Sequence, residues 1–389
     1  MFYKKRATTD RHGTVLSTAN TMIATLQPAA IRIDKRKIRS LINDNVKSAE
    51  AINLIYVNDK QKGISRVRKG EKFVYTHGNS TVKDPSVLGR IRSLVIPPAW
   101  EEVWICASPA GHIQVTGLDI NGRKQYRYHP LWNALRSETK FFHLYDFGIA
   151  LPEIRKQVNA DLALKGLPLQ KVLAAIISVM EYTGIRIGNH VYEKLYGSFG
   201  LTTLKDQHVN IKGSELKFKF IGKKGVAQNI TLKSKKLAKI VTQCRDIPGK
   251  ELFQYYDENG IRRSVDSGMV NDYLKSICEK KFSAKDFRTW VGTVCALESF
   301  MEVGCCDNVA ESKKKIIEVL DIVAKRLGNT RLVCRKYYVH PAVIEHYTNN
   351  TLSKYFEQLP KYKPGLLSPN EQMLLEMLGE MGSAVIAQK

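Results

Sequence analysis

Two adjacent tyrosines, Tyr337 and Tyr338, stand beside Arg335 and Lys336 in the stretch Gly328-Asn329-Thr330-Arg331-Leu332-Val333-Cys334-Arg335-Lys336-Tyr337-Tyr338-Val339-His340-Pro341. A phenol ionises near pH ~10, so it becomes a competent nucleophile where nearby cations stabilise its oxyanion. In a strongly basic chain, the chemistry such a pair suggests is covalent attack on a phosphodiester. The alternative is that both rings only pack or stack. What decides between them lies in the rest of the chain.

The 389 residues, 43% hydrophobic and 25% charged, have room for two or three domains with cores of their own. A net charge of +24 favours a polyanionic partner, because each neutralised phosphate releases counterions. No apolar run of membrane-spanning length and no lipidation motif occurs, so nucleic acid is the expected polyanion and a membrane is not. The seven cysteines are scattered, with Cys305 and Cys306 adjacent and no CxxC pair, and no secretory signal is visible. Reduced thiols in an intracellular protein are expected. Met1 to Leu26, in which Asp10 is the sole acid, reads as a solvated basic arm with a faint likeness to a mitochondrial transit peptide. With the basic cluster from Arg32 to Arg39, residues 1–50 form an extension in which no chemistry is visible.

The elements that must carry the chemistry are of two kinds. From Ala51 to about Pro130, turn-punctuated strands predominate: Leu54–Val57, Lys72–Tyr75, Val103–Ala107, His112–Thr116 and Arg123–Tyr128, with a short helix at Pro85–Ser93. In the last strand, period two separates Gln125, Arg127 and His129 from Lys124, Tyr126 and Tyr128; the second row could reach phosphates and stack on bases, or form an aromatic core face. After Pro130 the apolar spacing is helical over Leu131–Phe142, Leu151–Leu164 and Leu169–Thr183. A β-hairpin, Leu216–Ile221 with Ala227–Leu232, then carries Lys223 at its Gly222-Lys223-Lys224-Gly225 tip. Ser283 to Asp286 reads as a capping box opening a helix that presents Arg288 and runs to about Glu302. Ala310–Leu327 is the next helix, closed by Gly328, and Pro341 reads as a helix stop. A linker-like Pro360–Gly365 precedes an apolar helix at Pro369–Leu378.

Taken together, Arg186 in GIRIGN, Lys223 in FIGKKG, Arg288 in KDFRTW, Asn329 in RLGNT and Tyr338 in CRKYYVHP occur in the order found in type IB DNA topoisomerases. IPPAWEEVWIC and GRKQYRYHPLW resemble the N-terminal domain of the poxvirus-like and bacterial branch. The resemblance covers roughly residues 51–350. It implies an α+β chain with a small β-rich N-terminal domain and a mostly α-helical catalytic domain with a β-hairpin insertion, the core shared by tyrosine recombinases and topoisomerase IB. The expected division is 1–50 extension, 51–130 DNA-binding domain, 131–351 catalytic domain and 352–389 C-terminal extension.

The resemblance further implies a clamp around double-stranded DNA that relaxes positive and negative supercoils as a monomer. One strand would be cleaved through a 3′-phosphotyrosyl link at Tyr338, rotated and religated, with no ATP, metal or other cofactor. Arg186 and Arg288 would hold the non-bridging oxygens, Lys223 would protonate the leaving 5′-oxygen, and Asn329 would donate a neutral hydrogen bond. Gln125, Tyr126 and Tyr128, with Tyr192, would contact DNA. Three positions depart from the pattern: Asn329 stands where many members have His, Arg331-Leu332 replaces Pro-Ala, and Tyr337 replaces Ser. Two positions in sequence on a helix point about 100° apart, so one tyrosine alone would face the phosphate, and the YVHP alignment selects Tyr338. A cytoplasmic, nucleoid-associated location is expected, with nuclear or viral settings as alternatives. A site-specific tyrosine recombinase, or a non-catalytic basic DNA-binding protein on the same scaffold, would share many of these features. Cleavage-site preference does not follow from side-chain identity.

Overall fold

The computed structural model describes residues 44–278, 282–306 and 308–387; the basic arm and the cluster from Arg32 to Arg39 lie outside them. The protein begins with a short helix α1 (Asn45–Glu50), capped by Asp44. A six-stranded antiparallel sheet follows, in the order β3-β2-β1-β4-β5-β6. Its strands are β1 (Ile64–Lys69), β2 (Lys72–His77), β3 (Ser80–Thr81), β4 (Glu101–Ile105), β5 (Ile113–Leu118) and β6 (Lys124–Tyr128), with helix α2 (Pro85–Ser93) between β3 and β4. Ile64, Ile91, Val103, Ile105 and Val115 form the core beneath it. Two sequence expectations change here. Leu54–Val57 is not a strand: Ile55 makes a single parallel bridge to Gly111. The strand at Ile64–Lys69 was missed because Arg66 and Arg68 disguise it; Arg66 is tolerated because its guanidinium donates to the carbonyls of Trp100 at 2.6 Å and Pro97 at 3.1 Å.

The helices expected at Leu131–Phe142 and Leu151–Leu164 are one 32-residue helix, α3 (Pro130–Asp161), with Pro152 inside it. Proline removes one hydrogen bond, but the buried Phe147, Leu151 and Ile154 continue an apolar stripe past it and hold the helix together. Next come α4 (Leu169–Thr183) and α5 (His190–Tyr196). The expected hairpin is a three-stranded sheet, β7 (Val209–Lys212), β8 (Glu215–Ile221) and β9 (Ala227–Lys233). Leu216, Phe218 and Phe220 alternate inward, while Lys217 and Lys219 alternate outward.

Helix α6 (Lys235–Arg245), the hairpin β10 (Gln254–Tyr256) with β11 (Arg262–Ser264), and α7 (Ser267–Ile277) follow. Then come α8 (Ala284–Val303), α9 (Val309–Leu327), α10 (Arg331–Tyr337), α11 (Pro341–Thr348), α12 (Ser353–Phe356) and α13 (Pro369–Ala387). One hydrophobic core runs from Leu144 on α3 through the helices to Leu378 on α13. Pro341 starts a helix rather than stopping one: it is the first residue of α11, and His340 caps it by accepting from the Ala342 N–H at 3.1 Å. No helix among the described residues is long and apolar enough to cross a membrane.

Candidate active site

Helix α8 starts at a capping box in which the Ser283 N–H donates to the Asp286 carboxylate at 2.8 Å. That fixed start delivers Arg288 inward, 4% exposed, where a charge is tolerated only with partners. Its guanidinium donates to the Gly184 carbonyl and, at 2.9 Å, to the Leu327 carbonyl. These are orphan acceptors at the C-terminal ends of α4 and α9, the negative poles of both helices. Gly184 (φ 65°) and Gly328 (φ 57°) turn the chain out of those helices in the left-handed region. Arg288 Nε is buried and has no hydrogen-bond partner among the described residues.

Arg186 follows the first of these turns and reaches the second. It donates to Asn329 Oδ1 at 2.6 Å and to the Gly328 carbonyl at 3.4 Å. Two guanidinium groups thus crowd the end of α9. Burial, then the neighbouring Arg186 charge, lower the affinity of Arg288 for its proton, although an arginine stays ionised.

Tyr338 completes this corner. Tyr337 is the last residue of α10, and Tyr338 lies just beyond it, with φ −132° and ψ −16°. The two tyrosines therefore do not share a helix, as the sequence reading supposed. The N–H groups of Tyr338 and Val339 both donate to the Cys334 carbonyl, at 2.9 and 3.0 Å, which turns the chain between them. Tyr337 is 41% exposed with the Lys336 ammonium near its ring, whereas Tyr338 packs against the core. The guanidinium carbon of Arg288 is 5.0 Å from the centre of the Tyr338 ring. Burial pushes the Tyr338 phenol up, but Arg288, Arg186 and Lys285 outweigh it, and the net displacement is below the ordinary tyrosine value.

Two residues not anticipated from sequence seat this tyrosine. The Thr293 hydroxyl shares its one proton between the Thr289 carbonyl at 2.8 Å and the Tyr338 carbonyl at 3.1 Å, and accepts from the His340 N–H at 3.2 Å. At Gly292 a Cβ would lie 2.9 Å from the Tyr338 carbonyl oxygen, so α8 can approach that closely only with glycine there. A glycine inside an apolar helical pattern was the available signal.

Arg186, Arg288, Asn329 and Tyr338 are thus joined through one set of contacts. Lys223 is not part of it. It is exposed at the β8–β9 tip, with its ammonium 5.8 Å from the Tyr192 ring centre. The hairpin nonetheless meets the corner through Gln228, whose amide would lie 2.5 Å from a Cβ at Gly328. Tyr192 is half exposed on α5 and Tyr196 follows one turn later. The Arg123 guanidinium, from the β5–β6 turn, lies 4.8 Å over the Tyr196 ring, so the N-terminal sheet touches the element that follows Arg186.

Strand β6 is an edge of its sheet. Tyr126 and Tyr128 are exposed on one face with rings stacked at 5.9 Å, and Lys124 beside them pairs with Asp59 at 2.5 Å. Gln125 lies on the opposite row and donates to Asp119 at 2.9 Å; Asp119 also holds Arg123. Among the described residues no group of histidine, cysteine or carboxylate side chains could hold a metal ion, and no cysteine forms a disulfide.

The family described as "Eukaryotic DNA topoisomerase I, catalytic core" matches residues 131–364, and "Bacterial DNA topoisomerase IB, N-terminal domain" matches residues 72–119. The DNA topoisomerase 1B of Acanthamoeba polyphaga mimivirus is 31% identical over 300 residues, covering 74% of this chain and 88% of that protein. The DNA topoisomerase 1B of Vaccinia virus (strain Copenhagen) is 25% identical over 272 residues, covering 68% and 79%. A buried arginine beside a tyrosine with a depressed pKa, an α+β scaffold and these matches lead to one conclusion: the chain belongs to the type IB DNA topoisomerases.

Proposed function

We propose that Tyr338 carries the strand cleavage and religation chemistry of this topoisomerase. The phenolate oxygen of Tyr338 attacks the phosphorus of one DNA strand, the bond from phosphorus to the 5′-oxygen breaks, and Lys223 gives that oxygen a proton. The strand is left as a 3′-phosphotyrosyl ester with a free 5′-hydroxyl end. Rotation releases torsion in either sense, and the reverse transesterification expels Tyr338. The ester keeps the free energy of the phosphodiester, so neither ATP nor a metal is needed.

In this reading Arg288 and Arg186 bind the non-bridging oxygens as charge gathers on the phosphorane, and Asn329 donates a neutral hydrogen bond. Asn329 cannot exchange a proton, which leaves the acid role with Lys223. The observation that carries the reading is the buried Nε of Arg288, without a partner among the described residues, beside a phenol whose ionisation is eased by two guanidinium groups. Lys223 reaches the leaving oxygen when the β8–β9 tip settles on DNA.

Residues 51–130 act as the DNA-reading part and 131–351 as the chemical part of a monomer around double-stranded DNA. Edge strand β6 offers both rows at once, Gln125 on one side and Tyr126 and Tyr128 on the other, and Tyr192 adds a ring from α5. Thiols without disulfides are in keeping with a reducing, cytoplasmic setting beside the genome. The test is incubation with supercoiled plasmid in EDTA without ATP. The wild type and Tyr337→Phe relax it and form a covalent adduct, and Tyr338→Phe does neither. An adduct with Tyr338→Phe would end the assignment.

A further inference from the structure

Behind the two active-site arginines lies a buried ionic group that the proposed chemistry does not use. Arg155 on α3 donates through Nε to Glu181 at 2.7 Å, and to both carboxylate oxygens of Glu371, at 2.7 and 2.8 Å. Glu371, 6% exposed, also accepts from the Trp290 indole N–H at 2.8 Å and from the Ser368 N–H at 2.8 Å. Glu181 belongs to α4, whose end leads into Arg186. Trp290 belongs to α8, two residues beyond Arg288. Glu371 belongs to α13, past the last residue matched by the family's catalytic core. One guanidinium and two carboxylates therefore join the helices that deliver both arginines to a C-terminal helix. A cavity of about 480 Å³ lined by Arg155, Glu181, Trp290 and Glu371 separates the segment before α13 from α8.

Burial makes this connection specific. Trp290 is wedged where a Cβ on Gly148 of α3 would lie 2.5 Å from the indole and 2.9 Å from Leu375 of α13. Residues two apart on a helix point about 200° apart, so the face gripped through Trp290 is opposite the face that presents Arg288. A side chain ending about 6 Å from the helix axis moves by roughly 1 Å when the helix turns by ~10°. Displacements of that size at a reacting centre cost on the order of 100-fold in rate. Burial is a poor place for charges unless they are paired, and removing one partner strands the others.

We infer that Glu371 is a positioning residue for cleavage: through Trp290 and Arg155 it fixes the rotation of α8 and the end of α4, and so the aim of Arg288 and Arg186. The C-terminal helix is then part of the catalytic unit rather than an appendage. The inference rests on the reading of Arg288 and Arg186 as phosphate-binding groups.

The test is single-turnover cleavage by the full chain at saturating protein, with DNA affinity and thermal unfolding measured in parallel. Glu371→Ala lowers the cleavage rate by about 10- to 100-fold while DNA affinity changes by less than about 2-fold. Glu371→Gln, which keeps an acceptor for Trp290 but gives up the charge facing Arg155, falls between that variant and the wild type. Trp290→Phe keeps the ring and loses the N–H, and cleaves several-fold more slowly. A folded Glu371→Ala that cleaves at the wild-type rate, or one whose affinity falls in step with its rate, overturns the inference. Should Glu371→Ala fail to fold, Trp290→Phe decides: an unchanged rate there overturns it equally. Arg288→Ala is the companion measurement. If it cleaves normally the phosphate-binding reading itself is wrong, whereas an inactive Arg288→Ala beside a fully active Glu371→Ala refutes the positioning role alone.

Discussion

Replacing Gly292 with alanine tests how tightly Tyr338, the proposed nucleophile, is seated. The added Cβ would lie 2.9 Å from the Tyr338 carbonyl oxygen, 3.0 Å from Leu327 Cδ1 and 3.2 Å from Tyr338 Cβ, where ordinary contact begins near 3.4 Å. Either α8 or the Tyr338 backbone must therefore give by about 0.5 Å (3.4 − 2.9). The Thr293 hydroxyl, shared with the Thr289 carbonyl, reaches the same Tyr338 carbonyl from the next position on α8, so backing away lengthens that contact as well. Overpacking of this kind costs ~1–3 kcal/mol, and alanine returns about 1 kcal/mol of helix propensity. Net destabilisation of up to ~2 kcal/mol is expected, which a domain of this size survives. Cleavage suffers more. A 1 Å misplacement costs on the order of 100-fold, so half of that costs roughly 10-fold, or ~1.4 kcal/mol on the barrier. The assay is single-turnover cleavage of a short duplex whose 5′-leaving strand diffuses away, run at saturating protein beside a melting curve. Gly89→Ala is the control, since nothing lies within 4 Å of its Cβ on α2; it should gain about 0.5–1 kcal/mol of stability and cleave normally. A folded Gly292→Ala with the wild-type cleavage rate would refute the claim that α8 seats Tyr338.

Three other perturbations follow from the same geometry. Because cations hold the Tyr338 phenol below its usual range, Arg288→Gln should move the rising limb of the cleavage rate to higher pH as well as lower its height; a limb that stays in place would mean that another group titrates. The same depression makes a stability contribution that is complete above the unfolded phenol's pKa near ~10 and is lost as pH falls through the lower folded value, and alkaline melting of Arg288→Gln should lack it. DNA affinity should fall about 10³- to 10⁵-fold between 50 and 200 mM salt if 6–10 phosphates are neutralised, and a flat titration would rule out the clamp. Arg123→Ala removes a cation–π contact with Tyr196 worth about 0.5–1 kcal/mol and should weaken DNA binding a few-fold without changing the rate at saturation; a lowered saturating rate would show that this contact serves the chemistry.

Much of the candidate site could be read from residue types in order, but not its geometry. Arg186 and Asn329 touch across 143 residues of chain, a contact no local pattern encodes. The capping box at Ser283 and the glycine after Leu327 were legible because both are local backbone demands met by particular residues. Long-range compensation hid the rest. Arg66 disguises a strand because carbonyls from a distant turn satisfy it, and Pro152 suggests a break in a helix that core packing carries through. Tyr337 and Tyr338 looked like neighbours on one helix because nothing local marks the turn at the Cys334 carbonyl. Nothing local singles out Glu371 in the Pro369–Leu378 helix, since its partners Arg155 and Trp290 come from elsewhere.

The length of α3 has a mechanical consequence. At ~1.5 Å per residue its 32 residues make a strut of about 48 Å. Its near end is capped by His129, directly after the Tyr126–Tyr128 edge, and its far end carries Arg155. The sheet is therefore joined to the Arg155 anchor through this strut, beside the Arg123–Tyr196 contact to α5. The strut lacks one backbone hydrogen bond, at Pro152. Pro152 cannot donate to the carbonyl of Gly148, and Gly148 is where the Trp290 indole bears on the strut. The missing hydrogen bond lies one turn before Arg155, so any bend of the strut there would bear directly on the Arg155 anchor.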